Sequence, residues 1–179
     1  RMVEQLLDLA RIESGQLQLA RQALDLGQLL AEVRDAFTPR ASEKGVSLFL
    51  ETQPVPAVSG DRDRLTQVFA NLLDNALGHT PGGGEVRLAL YLLSNGQVEV
   101  TVQDNGRGIP QEELSRIFER FYQVDKSRAG SAEERGSGLG LAIVRELVEA
   151  HQGQITARSA PGQDTVFTIR LPAAESAES

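Results

Sequence analysis

The chain contains no cysteine. Disulfides, thiolate nucleophiles and Cys-ligated zinc are therefore excluded. Histidine is scarce too: His79 and His151 are the only two, too few and too scattered for a zinc site. Basic charge is also lacking. The formal charge is -7, which argues against a general nucleic-acid surface, because phosphate backbones need a basic face. No apolar run approaches the roughly 20 residues that span a bilayer. No stretch of this sequence reads as a signal peptide, and there is no internal repeat. What remains is ordinary for a soluble globular protein: 40% hydrophobic and 24% charged residues in a chain of 179, enough for one domain with a real core and an accessory segment.

Periodicity divides the chain. Residues 2–13 read as a helix with a broad apolar stripe, Met2, Leu6 and Leu9 beside Val3, Leu7 and Ala10. Such a stripe calls for a partner helix more than for its own domain. The pattern is already under way at Met2, as in a piece of a longer chain. Ser14 and Gly15 close the helix, and residues 16–24 read as a linker or edge strand. Asp25 and Gln28 form a capping pair for a helix carrying Leu29, Leu30, Val33 and Phe37 inward, which Pro39 should kink or end early. A strand follows over 46–50, then a loop marked by Pro54 and Pro56. Asp61 caps a helix reaching about residue 79. Strands over 86–93 and 98–102 meet at Asn95 and Gly96, a strong hairpin pair. Helices are expected over 111–121 and 139–151, with a loose polar stretch over 122–137 between them. Strands over 155–158 and 166–171 flank a turn at Pro161 and Gly162, and residues 173–179 read as a disordered tail. This mixed order predicts an α+β two-layer sandwich over residues 25–172, with a mixed sheet on helices, rather than a dinucleotide-binding sheet.

Three short stretches carry chemistry: NLLDNALGHT at 71–80, DNGRGIP at 104–110 and GSGLGL at 136–141. Asn71, Asn75 and His79 stand at i, i+4 and i+8, on one helical face. The neutral carboxamide oxygen of Asn75 suits Mg²⁺, which takes phosphate oxygens and water as its other ligands. His79 and Thr80 follow near the phosphates. Asp104 ends a strand and can accept from an exocyclic amine. Gly106 and Gly108 then admit a flat ligand close to the backbone. Alone, this second stretch is equally a tight turn with a solvated Asp. Gly136, Gly138 and Gly140, with Leu139 and Leu141, open a helix whose amides favour phosphate; alone they are equally a flexible loop and cap. Their spacing does not match the Walker pattern. Arg128, with Lys126 and Arg135, lies in the polar stretch where a cationic lid could close over a triphosphate. Three such stretches in this order indicate an ATP site.

These stretches resemble the catalytic ATP-binding domain of the sensor histidine kinases of two-component systems, a branch of the Bergerat-fold superfamily. Residues 71–80 are similar to the family's N box, 104–110 to its first glycine box, 117–122 to its phenylalanine box and 136–141 to its second glycine box. Residues 6–15 resemble the end of its second dimerisation helix. The resemblance thus spans nearly the whole chain. It implies a Bergerat sandwich holding Mg-ATP, with Asn75 on Mg²⁺ and Asp104 on the adenine amine. Gly106, Gly108, Gly138 and Gly140 would shape the pocket and lid. Ile109 would line the pocket, Phe118 and Phe121 would anchor the lid, and Thr165 would lie near Asp104. It further implies a cytoplasmic domain of a homodimeric parent, whose membrane anchor, if any, lies upstream. Its partners would be a phosphoacceptor helix and a response regulator.

Three departures stand out. His79 precedes Thr80 and His151 precedes Gln152, so neither matches the family's His-acid phosphoacceptor box, and the acceptor is expected upstream of residue 1. Gly78 stands where the family often has Lys or Arg at a phosphate contact, and Asp164 where glycine is common before Thr165. The hydrolytic members of the superfamily place a Glu four residues before the metal-binding Asn. Here that position is Asn71, which cannot act as a general base. The resemblance therefore implies γ-phosphoryl transfer to a histidine rather than ATP hydrolysis, with Asn71 and Asn75 as the catalytic pair. The alternatives are an ATP-binding regulatory module without transfer, or an anti-sigma-type interaction switch of the same fold.

Overall fold

The computed structural model describes residues 2–15, 17–124 and 137–174. In chain order its elements are α1 (Met2–Glu13), β1 (Gln22–Leu24), α2 (Leu26–Lys44), β2 (Ser47–Thr52), β3 (Val58–Gly60), α3 (Arg62–His79), β4 (Glu85–Leu92), β5 (Gln97–Asp104), α4 (Gly140–Ala150), β6 (Gln154–Arg158) and β7 (Thr165–Pro172). Five strands form one sheet in the order β2-β4-β5-β7-β6, while β1 and β3 pair separately. Strand β2 runs parallel to β4, and the other neighbours are antiparallel.

Register explains the core. Leu88 faces Val102 and Leu90 faces Val100; Val100 in turn faces Ile169 and Val102 faces Phe167. Alternation puts this set on one side of the sheet. There it packs with Leu29 and Leu30 of α2, Leu65, Phe69 and Leu72 of α3, and Ile143 and Leu147 of α4, all buried. Each such side chain contributes roughly 1.5–3 kcal/mol. The result is the α+β two-layer sandwich expected: a mixed sheet with helices on one face.

Helix ends follow local chemistry. Asp25 Oδ1 accepts from the Gln28 amide at 3.0 Å, but the Gln28 side chain turns to Glu32 instead of reaching back, so only half of the capping pair forms. Pro39 does not end α2 early. The proline and Asp35, whose carbonyl loses its helical partner, are both exposed, so water can take the freed acceptor. The helix runs on to Gly45, whose φ of 69° closes it. At the β4–β5 hairpin, Gly96 has φ 82°, and Asn95 Oδ1 accepts from the Gln97 amide at 3.1 Å.

Three expectations change. Residues 111–121 are not a regular helix but a run of turns, held by bonds such as Arg116 N to Glu113 O and Glu119 N to Arg116 O. Apolar spacing misleads there because Ile117 and Phe118 pack on the core without a continuous helical ladder. Residues 22–24, in the stretch read as a linker or edge strand, resolve to a strand, β1, paired with β3, and Leu24 is buried. Ala173 and Ala174, read as the start of the tail, are tied to Val58 and to the Ala57 carbonyl; the rest of that tail lies outside the described residues. Helix α1 meets α4, with Ile12 against the core. Its Val3, Leu6 and Leu7 stay exposed at 68%, 42% and 53%.

Candidate functional site

Helix α3 is the spine of the site. Its buried face, Leu65, Val68, Phe69, Leu72, Leu73 and Ala76, fixes its rotation. Asn71 and Asn75 are thereby left half-buried, and His79 exposed at the last turn. Asn71 Nδ2 donates to the Gly140 carbonyl at 3.4 Å, joining α3 to the start of α4. Thr80 is buried; its amide and hydroxyl both donate to Ala76 O, at 3.0 and 2.7 Å.

The turn after β5 packs against that helix end. A Cβ on Gly106 would lie 2.6 Å from the His79 carbonyl oxygen, and one on Gly108 would lie 1.9 Å from the Ala160 carbonyl oxygen. Gly108 also has φ 73°, so glycine is required there twice over. Asp104 is 2% exposed and sits opposite Thr165 in the ladder. Its Oδ1 accepts from the Gly106 amide at 3.0 Å. Burial pushes its carboxyl up to about 6, the Gly106 N–H pulls against that, and the nearby Asp164 charge raises it further. Ser159 Oγ accepts from the Ile109 amide and meets Thr165 Oγ1, both at 2.9 Å. One hydrogen-bonded unit thus gathers Ile109 and Thr165, next to Asp104.

The second glycine cluster lies further toward the start of α3, where Gly140 meets Asn71. Leu139 is fully buried, Gly138 has φ 68°, and Gly140 is the first residue of α4. Leu141 is half-buried against the core. No side chain caps this helix start; the Ser137 hydroxyl accepts from the Leu139 amide at 3.2 Å. Phe121 donates its amide to Gly138 O at 2.9 Å. Its backbone is left-handed, at φ 59°, and its side chain is 60% exposed. Of the two expected aromatic anchors, only Phe118 packs inward, edge-on to Phe167 at 6.3 Å. Arg128 and Gly136 lie outside the described residues.

The fold therefore brings His79, Thr80, Asp104, Gly106, Gly108, Ile109 and Thr165 together at one end of α3, and Gly138 and Gly140 beside Asn71 and Phe121. Sequence reasoning missed Ser159, a loop residue with no motif of its own, and Arg107, hidden inside the glycine turn. Arg107 donates from Nη2 to His79 Nδ1 at 3.0 Å. The second histidine is elsewhere. His151 is 1% exposed at the C-terminus of α4. It is a neutral cap: its Nδ1 donates to Leu147 O at 2.6 Å and its Nε2 accepts from the Asp61 amide at 3.0 Å. Burial holds it below the usual histidine range, with the Leu147 bond opposing.

Residues 60–175 match the histidine kinase-, DNA gyrase B- and HSP90-like ATPases. The chain belongs to this family. Within it, the relatives are sensor histidine kinases. The chain is 38% identical over 172 residues to the sensor histidine kinase TmoS of Ectopseudomonas mendocina, covering 96% of this chain and 18% of TmoS. It is 37% identical to the histidine-protein kinase BaeS of Escherichia coli, over 96% of this chain and 36% of BaeS. Among solved structures, the AMPPNP complex of full-length ShkA superposes with a TM-score of 0.86 at 33% identity, over 98% of this chain and 36% of ShkA. The mycobacterial sensor histidine kinase MprB gives 0.74 at 30% identity, over 86% of this chain and 97% of that one. The chain thus spans less than half the length of these curated relatives. It is an ATP-binding domain of the sensor histidine kinase type. Among the described residues no helix is long and apolar enough to cross a membrane.

Proposed function

We propose that this domain binds Mg-ATP between the end of α3, the glycine turn after β5 and the start of α4, and transfers the γ-phosphoryl to a histidine on another segment of its parent protein. Asn71 carries the choice of transfer over hydrolysis. A carboxamide cannot deprotonate water, and here its amide group is engaged with Gly140 O. Catalysis then rests on positioning and charge stabilisation.

The roles follow from chemistry and place. Asp104, buried beside Thr165, would accept from the adenine amine. Ile109 would line the base, while Gly106 and Gly108 let the turn pack tightly against the His79 and Ala160 carbonyls and so shape that wall. The uncapped start of α4, at Gly138, Leu139, Gly140 and Leu141, suits phosphate. Among the described residues no three His, Cys, Asp or Glu side chains cluster as a metal cage. Mg²⁺ does not need one, since it keeps waters and uses phosphate oxygens. Asn75 fits as its single protein ligand, and the ion would neutralise phosphate charge. The exposed Val3, Leu6 and Leu7 of α1 fit the end of a dimerisation helix in a homodimeric parent. A response regulator would receive the phosphoryl group, and any membrane anchor would belong to the rest of the parent. We assign residues 1–15 to that helix, 16–24 to the connection and 25–172 to the ATP domain.

The test combines radiolabelled ATP, this chain and a separate acceptor-helix domain. Acid-labile, alkali-stable label on the acceptor is expected. ATP binding without any transfer would reject the kinase reading in favour of a regulatory module.

A further inference from the structure

The turn after β5 carries Gly106 and Gly108, and glycines give a chain little stiffness of its own. The loop between β6 and β7 supplies it. The Ile109 amide donates to Ser159 Oγ at 2.9 Å. The Gly162 amide donates to the Arg107 carbonyl, also at 2.9 Å. Gly108 packs so closely on Ala160 that a Cβ would come 1.9 Å from its carbonyl oxygen. Of these anchors, Ser159 is the one made by a side chain. Its Oγ also meets Thr165 Oγ1 at 2.9 Å, and Thr165 is the ladder partner of Asp104. Either hydroxyl can donate in that pair, and in both arrangements Ser159 Oγ keeps a lone pair for the Ile109 amide. A closed circuit results. It runs from Asp104 across the ladder to Thr165, through Ser159 to Ile109, and back along the glycine turn to Asp104.

We propose that Ser159 is a positioning residue for the nucleobase: its hydroxyl ties the far end of the glycine turn to Thr165 and so sets the spacing between Ile109 and Asp104, the two residues given to the base. This rests on the nucleotide reading above. Ser159 acts through Ile109 and Thr165, not as a ligand of its own. The phosphates are given to a different element, the start of α4, which lies outside this circuit. The contribution of Ser159 therefore falls on the base end of the nucleotide and not on the triphosphate.

The test compares wild type with Ser159→Ala by amide NMR without ligand, and by titration with ATP and with ribose triphosphate, which lacks the base. The substitution removes only the hydroxyl of a half-buried side chain, which the fold tolerates. In Ser159→Ala the Ile109 amide proton should move upfield, as an amide does on losing its acceptor. ATP affinity should fall about threefold to tenfold, the range of one net hydrogen bond, while ribose triphosphate binds as before. An unmoved Ile109 amide overturns the proposal. So does a moved amide with unchanged ATP affinity. Equal weakening of the two ligands also overturns it, since Ser159 would then serve the fold alone. Failure of the wild-type chain to bind ATP would instead reject the nucleotide reading, and the amide spectra, which need no ligand, separate the two failures.

Discussion

The two histidines sit at opposite ends of α3 and carry their protons on opposite nitrogens. His151 is buried and donates from Nδ1, with Nε2 accepting from the Asp61 amide. His79 is exposed and accepts at Nδ1 from Arg107. The His151 end is closed on itself. Asp61 Oδ1 and Oδ2 accept from the Arg64 and Ala20 amides, and Arg21 Nη2 donates to Ala150 O at 2.7 Å. Burial pushes Asp61 up, but amide donors at Arg64, Ala20 and Asp63 outweigh it and hold it low. At the other end lie the glycine turn and the buried Asp104, to which the proposed function gives the adenine. One end of the spine spends its polar groups on folding, and the other holds the residues assigned to binding in the proposed function.

Substitution should separate the two ends. The largest effect is expected for Asn75→Ala at the binding end: Mg-ATP affinity should fall at least a hundredfold by calorimetry, about 3 kcal/mol, with little change in melting. Unaltered affinity would remove the metal assignment. At the closed end, His151→Ala should cost about 2–4 kcal/mol in denaturant melts, through the cavity and the orphaned Asp61 amide, yet leave ATP affinity of the folded chain within about twofold. A large affinity loss there would erase the contrast.

Asp104→Asn is the sharper probe, because its two effects oppose. The carboxyl lies at about 6 when folded against an ordinary 3.8, so the folded state binds more protons between these values and stability drops as pH rises through about 6. Removing the charge should therefore stabilise the chain by about 1–3 kcal/mol at pH 7.5 while weakening ATP far more than a base-lacking triphosphate. Equal losses for the two ligands would end the adenine role. His151 works with the reverse sign. Its folded proton affinity is depressed, so its contribution is lost as pH falls below the ordinary value near 6.5. A wild-type stability curve that stays flat on that side would argue against the neutral cap.

Much of this could be read from residue order, for reasons that differ along the chain. Helix α3 was legible because its apolar residues recur at helical spacing behind an Asp cap, and the hairpin because Asn95 and Gly96 tolerate its turn. Strands β1 and β3 were not, since three residues carry too little alternation and their pairing is long-range. The segment over 111–121 was misread because turns that bury Ile117 and Phe118 have the same apolar spacing as a helix. In the site, the motif residues were visible individually. The contacts joining Ser159 to Ile109 and Arg107 to His79 depend on strands and turns meeting in space, which no local pattern encodes.

The burial of Asp104 also has a calorimetric consequence. A carboxyl poised near 6 is partly protonated in mildly acidic solution, whereas the adenine role proposed for it needs the bare carboxylate. Nucleotide docking would then expel a fraction of a proton into the medium. The apparent heat of binding would vary with the ionisation enthalpy of the buffer at pH 6 and become buffer-independent by pH 8, so the domain would act as a weak acid whose strength depends on its occupancy.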